Sequence, residues 1–224
     1  MMLNSLFPNV GTNWPEFTQS IVETIEMVIL SGIISLIISL VIAVILVVTK
    51  HDGIKPNFII FNIFDKLINL FRSIPFIILI VALIPLTTLI SGTAIGVTGT
   101  IFPLVVGITP FFARQIESAL NEIDPGLIET GKAIGLSNFQ IVKSIYLHEG
   151  IISITRMTTT TIVSLIGLTA IVGVVGGGGL GNFAIQYGYQ QNQFDVTMAC
   201  IIVLLILVTI VQVIGTLIAE LLTR

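Results

Sequence analysis

Four stretches of this chain contain no Asp, Glu, Lys or Arg at all: 27–49, 73–113, 157–194 and 196–219. A helix needs about 20 mostly apolar residues to cross roughly 30 Å of hydrocarbon, so each stretch is long enough for at least one crossing. Only 9% of the 224 residues are charged and 54% are hydrophobic, whereas a soluble domain carries charge on roughly a quarter of its positions. The chain is read as an all-α, polytopic membrane protein. The first and last stretches hold one span each. The glycines and small hydroxyl residues of SGTAIGVTGT at 91–100 mark a turn that splits the second stretch in two. In the third, TTTTIVSLIGLTAIVGVV makes one span and is followed by the polar, glycine-rich GGGGLGNFAIQYGYQQNQF. Five transmembrane helices result, near 20–49, 66–90, 97–117, 153–175 and 195–220, in a single domain covering 1–224.

Cytoplasmic loops collect Lys and Arg, and this fixes an expected orientation. Residues 1–49 contain neither, which puts the N-terminus outside. Five crossings then place 50–72, 114–156 and Arg224 inside, and all nine basic residues fall on that one face. The first span lacks the basic start and small-residue cleavage site of a signal peptide and is read as retained. Cys200 is the sole cysteine and has no intrachain disulfide partner.

Carboxylates or histidines in mid-span are the usual mark of a proton relay, and the middle of every span is free of them. Glu23 and Glu26 sit near one end of the first helix, and Glu117 near the end of the third. Sodium coupling through backbone carbonyls stays open, although the chain lacks paired Gly/Pro-broken spans at matching positions in two halves. If the chain moves a solute uphill, the energy comes from outside it.

Two nucleotide-like motifs dissolve on inspection. GLIETGKA at 126–133 falls one letter short of G-x-x-x-x-G-K-[ST], because Ala133 has no hydroxyl for magnesium. Residues 115–155 are also too few for the α/β domain that such a loop opens. GGGGLG at 176–181 fits G-x-G-x-x-G, but it follows a membrane helix rather than a strand. No cofactor, metal or nucleic-acid site is expected.

Residues 117–150 carry five acidic and two basic residues among apolar ones at helical spacing, including Phe139, Val142 and Tyr146. Gly135 breaks the run, and Ser137 with Gln140 makes an S-x-x-Q capping box. Two short helices hinged at a glycine and an ordinary connecting loop both satisfy that pattern.

The run ETGKAIGLSNFQIVKSIYLHEG resembles the EAA loop of bacterial ABC importer permeases, E-A-A, three residues, G, nine residues, I-x-L-P. Glu129, Gly135, Ile145 and Leu147 stand at the pattern's positions. Thr130 and Gly131 replace the two alanines and His148 the proline. With FRSIPFIILIVALIP at 71–85 and the run after the fourth span, the chain as a whole is similar to the methionine permeases of the type I ABC importers. The resemblance implies a homodimer in the bacterial inner membrane, itself not an enzyme, that forms the pathway for an amino acid, methionine above all. It also implies a cytoplasmic ABC ATPase dimer that docks on the loop through Glu129, Gly131, Gly135, Phe139, Ile145 and Leu147, and an extracytoplasmic binding protein. A permease for another amino acid or small polar solute, a passive channel and a membrane scaffold are the competing readings.

Other residues leave two readings open. Thr155, Thr158, Thr161 and Thr169 share an arc of about 120° on the fourth helix, which suits either a polar pathway or hydroxyls bonded back to the preceding turn. Arg72, with Ser73, suits either the pathway or an interfacial anchor. Met157 and Met198 read as packing. Tyr187 and Tyr189 read as interface aromatics and as contacts for the binding protein.

Overall fold

The computed structural model describes residues 7–223; Arg224 and the first six residues of the expected outer segment lie outside the described residues. Among the described residues there are helices and no strands. A short α1 (Pro8–Thr12) precedes α2 (Trp14–Thr49). At 1.5 Å per residue α2 is roughly 54 Å long, well beyond the hydrocarbon thickness, and it begins six residues before the expected first span.

The expected second span, 66–90, is not one helix. It lies in α3 (Phe58–Ser73) and α4 (Phe76–Ser91). The break follows from Pro75, which has no N–H and disfavours the helical region for the residue before it. Ile74 is accordingly extended, at φ −85° and ψ 123°. Pro85, which cannot donate within the ladder, is accommodated inside α4. The chain continues through α5 (Gly96–Asn121), α6 (Pro125–Ala133), α7 (Asn138–Ile141), a π-helical turn (Val142–Tyr146) and α8 (Leu147–Glu149). Then come α9 (Ile151–Val174), α10 (Gly179–Phe183), a second π-helical turn (Ala184–Tyr189) and α11 (Phe194–Leu222). Helices α2, α5, α9 and α11 are each long and apolar enough to cross a membrane, and α3 with α4 qualifies only as one broken span.

The chain divides into two compact units. One comprises residues 7–34, Pro75–Gly107 and Ile162–Gln212. Its buried cluster is Val10, Phe17, Leu180, Phe183, Val196, Ala199 and Cys200. Asn9 fastens α1 to the start of α11, giving its backbone N–H (3.0 Å) and its amide Nδ2 (2.9 Å) to the Asp195 carboxylate.

The other unit comprises Ser35–Ile74, Ile108–Thr161 and residues 213–223. Its core is Ala43, Val47, Phe112, Ile116, Ala119, Leu120, Ile141, Tyr146 and Ile154. A second cluster of Leu46, Ile68 and Ala113 takes in Phe61 and Phe64, so α3 buries one apolar stripe here. On its polar face, Asp65 and Asn69 accept from the Arg114 guanidinium at 2.6 and 3.2 Å, and Glu117 accepts from it at 2.7 Å. Glu117 is buried, and a buried carboxylate requires such a partner. Gly215 of α11 lies against Thr159 of α9, where a Cβ would come within 2.0 Å of the threonine hydroxyl.

Candidate functional site

The segment between α5 and α9 is built from local capping chemistry. Asp124 starts α6 by accepting the Gly126 N–H at 2.8 Å, with Pro125 at the first helical position. The helix ends where Gly135 takes a left-handed φ of +82°. There the Leu136 N–H reaches the Gly131 carbonyl (3.0 Å) and the Gly135 N–H the Lys132 carbonyl (3.1 Å). These are the paired 6→1 and 5→2 bonds of a Schellman motif, which satisfy two orphan carbonyls and need a residue tolerant of positive φ. Ser137 then opens α7. Its hydroxyl accepts from the Gln140 N–H at 3.4 Å, and the Gln140 side-chain oxygen accepts from the Ser137 N–H at 2.8 Å. The helical run passes through the π-helical turn and α8 to Gly150.

This folding sorts the sequence-derived residues. Glu129, Gly135 and Phe139 are exposed, Ile145 and Leu147 are half-buried, and Gly131 is buried. Phe139 is 75% exposed and Ile134, which the motif does not mark, 71%. An isoleucine that caps the end of one short helix and a phenylalanine in the first turn of the next thus flank the elbow, both open to a partner. Ile145 and Leu147 face the other way and pack on the unit's core. Gly131 is buried because Ile145 crosses over it: a Cβ there would lie 2.7 Å from the Ile145 Cδ1 methyl. Burial pushes the Tyr146 phenol up, and the Asp52 carboxylate adds to the shift.

The threonine row divides. Thr161 and Thr169 are buried, and their hydroxyls donate to the Met157 (2.8 Å) and Ile166 (2.7 Å) carbonyls of their own helix. Thr155 also bonds back, to Ile151 at 2.8 Å, but like Thr158 it is only half-buried. Arg72 and Ser73 are exposed at the end of α3, next to the break. Met157 packs on its unit's core, and Met198 is half-buried.

The glycine-rich run of the other unit is a structural device. Gly176, Gly178 and Gly179 have φ of +86°, +82° and +71°, a conformation that side chains resist. The Glu23 carboxylate accepts the Gly179 N–H at 2.7 Å and the Thr24 hydroxyl accepts the Leu180 N–H at 2.9 Å. Two side chains of α2 thereby serve the start of α10. Beyond it, Tyr187 packs against Phe183 with the rings tilted by 38° and centroids 4.6 Å apart, while Tyr189 is 76% exposed. Glu23 and Thr24 had no signal in sequence beyond a charge and a hydroxyl near a helix end.

Residues 52–224 match the family of binding-protein-dependent transport system inner membrane components. The chain belongs to that family. Its relatives include the probable D-methionine transport system permease protein MetI of Vibrio cholerae, 39% identical over 86% of each chain. The methionine import system permease protein MetP of Bacillus subtilis is 36% identical over the full length of both. Among solved structures, an inward-facing conformation of the MetNI methionine ABC transporter superimposes with a TM-score of 0.90 at 39% identity, covering 96% of this chain and 99% of the other. A binding-protein-dependent transport system inner membrane component is a polytopic membrane protein that passes solute, not an enzyme. This accounts for a chain whose two nucleotide-like motifs turn out to be a capped helix and a glycine turn.

Proposed function

We propose that this chain, as a homodimer, is the permease of an ATP-driven importer for methionine, with hydrolysis in a separate ATPase subunit. The observation that carries the proposal is the elbow at Gly135, a doubly capped pair of short helices that leaves Ile134 and Phe139 bare. An apolar pair fixed on a rigid turn suits insertion into a groove of a partner, with Glu129 and Lys132 at the rim. The names of the relatives, across the whole length of the chain, support methionine as solute. In this reading Gly131 and Gly135 shape the elbow, and Ile145 and Leu147 transmit its movement to the core they pack on. Thr155, Thr158, Arg72 and Ser73 are assigned to the pathway. Thr161 and Thr169, with their hydroxyls turned back on the helix, are assigned to packing. Tyr189, supported by Tyr187, is assigned to the surface that meets the binding protein.

The test is uptake of radiolabelled L- and D-methionine by proteoliposomes holding the permease, its ATPase and the binding protein. Truncating an apolar anchor at the centre of an interface typically costs about 2 kcal/mol, which is roughly a 30-fold loss of affinity. Phe139→Ala is expected to weaken ATPase docking by that order and to abolish uptake while the permease still inserts. Methionine flux that proceeds without the ATPase, or an alanine variant with normal docking, overturns the proposal.

A further inference from the structure

The hydroxyl of Thr87 on α4 is enclosed, with the residue 1% exposed, and has no hydrogen-bond partner in the protein. This is unusual for a threonine in these helices. Thr88 beside it donates to the Ile84 carbonyl at 2.9 Å, and Thr159 and Thr161 bond back to their own helix in the same way. Thr87 instead lines a cavity of ≈ 30 Å³ together with Val81, Gly99, Thr100 and Pro103.

Two of those neighbours sit at gaps that prolines open in the helical ladder. Pro85 has no N–H to offer the carbonyl of Val81, four residues before it in α4. Pro103 likewise has none for the carbonyl of Gly99 in α5. The cavity is therefore bordered by an unpaired hydroxyl and by two residues whose carbonyls lack their helical donor. All of them belong to one compact unit.

We propose that this cavity is a binding site for an internal water that joins the two proline gaps. A water requires roughly 10–15 Å³ of such space and two to four polar partners; the cavity has the space, the Thr87 hydroxyl is one partner, and the two carbonyls are assigned as the others. It accepts from the Thr87 hydroxyl and donates to the Val81 and Gly99 carbonyls. Lipid offers no substitute, because hydrocarbon leaves backbone groups to be satisfied from within the protein.

Two isosteric or near-isosteric variants of the full chain, purified in detergent, provide the test. A dry hydroxyl and a hydrated one respond oppositely to Thr87→Val: removing an unpaired buried hydroxyl is neutral or stabilising, whereas removing one leg of a water bridge strands the water and its other partners. We expect Thr87→Val to lower Tm by roughly 2–4 °C and Thr87→Ser, which keeps the hydroxyl, to lower it less. A structure resolving waters is expected to show one within about 3.2 Å of the Thr87 hydroxyl, lost in the valine variant. An unchanged or raised Tm for Thr87→Val, or the absence of that water from the unsubstituted protein, overturns the proposal. So does a Tm that rises in sodium relative to choline and loses this rise in the valine variant, since the oxygens would then be holding a cation.

Discussion

Gly131 and Gly135 stand four residues apart and are glycines for different reasons. At Gly135 the space is open, since nothing lies within 4 Å of a Cβ built there, and only its φ of +82° opposes a side chain. At Gly131 the backbone is helical and the opposition is steric, from the Cδ1 methyl of Ile145 at 2.7 Å. Alanine at 131 gains about 1 kcal/mol of helix propensity but must displace that methyl. We expect Gly131→Ala alone to be close to neutral in Tm and Gly131→Ala with Ile145→Val, which deletes the offending methyl, to exceed the sum of the single changes. A double-mutant cycle in thermal denaturation measures this coupling; strict additivity would show that the two residues do not crowd each other. The role of Gly135 was legible from sequence, because a glycine followed by S-x-x-Q is local information. The role of Gly131 was not. In sequence it is only a glycine where the pattern has an alanine, and the residue that crowds it is fourteen places further on.

The same contrast between local and distant causes separates the elements. The end of α6, the start of α7 and the break between α3 and α4 are each set by residues within a turn of the event, and sequence indicated the first two. The α3 to α4 break interrupts what reads in sequence as one span, 66–90, because the extended conformation forced on Ile74 removes more of the ladder than Pro75 does by itself. The start of α10 was illegible, since its donors are served from α2, 156 positions away in sequence. The consequence is testable at Thr24, which is 1% exposed. Thr24→Val deletes the acceptor for the Leu180 N–H and leaves a buried donor unpaired, at about 1–3 kcal/mol. Thr24→Ser preserves the oxygen and should behave like the unsubstituted chain in thermal denaturation. If valine and serine variants melt together, the hydroxyl does not support α10.

At the scale of the whole molecule, the cations are divided unevenly between the two units. Lys50, Lys55, Lys66, Arg72, Arg114, Lys132, Lys143 and Arg156 all belong to the unit containing Ser35–Ile74 and Ile108–Thr161, and the other unit has no Lys or Arg among the described residues. Retention of Lys and Arg on the cytoplasmic side sets orientation during insertion, and here the bias is complete rather than statistical. Only Arg114 and Lys50 among these cations have a carboxylate within ion-pair distance in the described residues, so the asymmetry is not cancelled by pairing. We therefore propose that the elbow at Gly135 faces the cytoplasm and the segment after α9 faces outward. Labelling intact cells with a membrane-impermeant maleimide decides this. Cys200 is buried, and Cys200→Ser, a small change in volume, gives a cysteine-free background. In that background Gln191→Cys, at an exposed site beyond the second π-helical turn, is expected to label from outside. Asn138→Cys, exposed on α7, is expected to label only after the cells are opened. The reverse pattern would place the elbow out of reach of any cytoplasmic ATPase, and the coupling function proposed for Phe139 would fail with it.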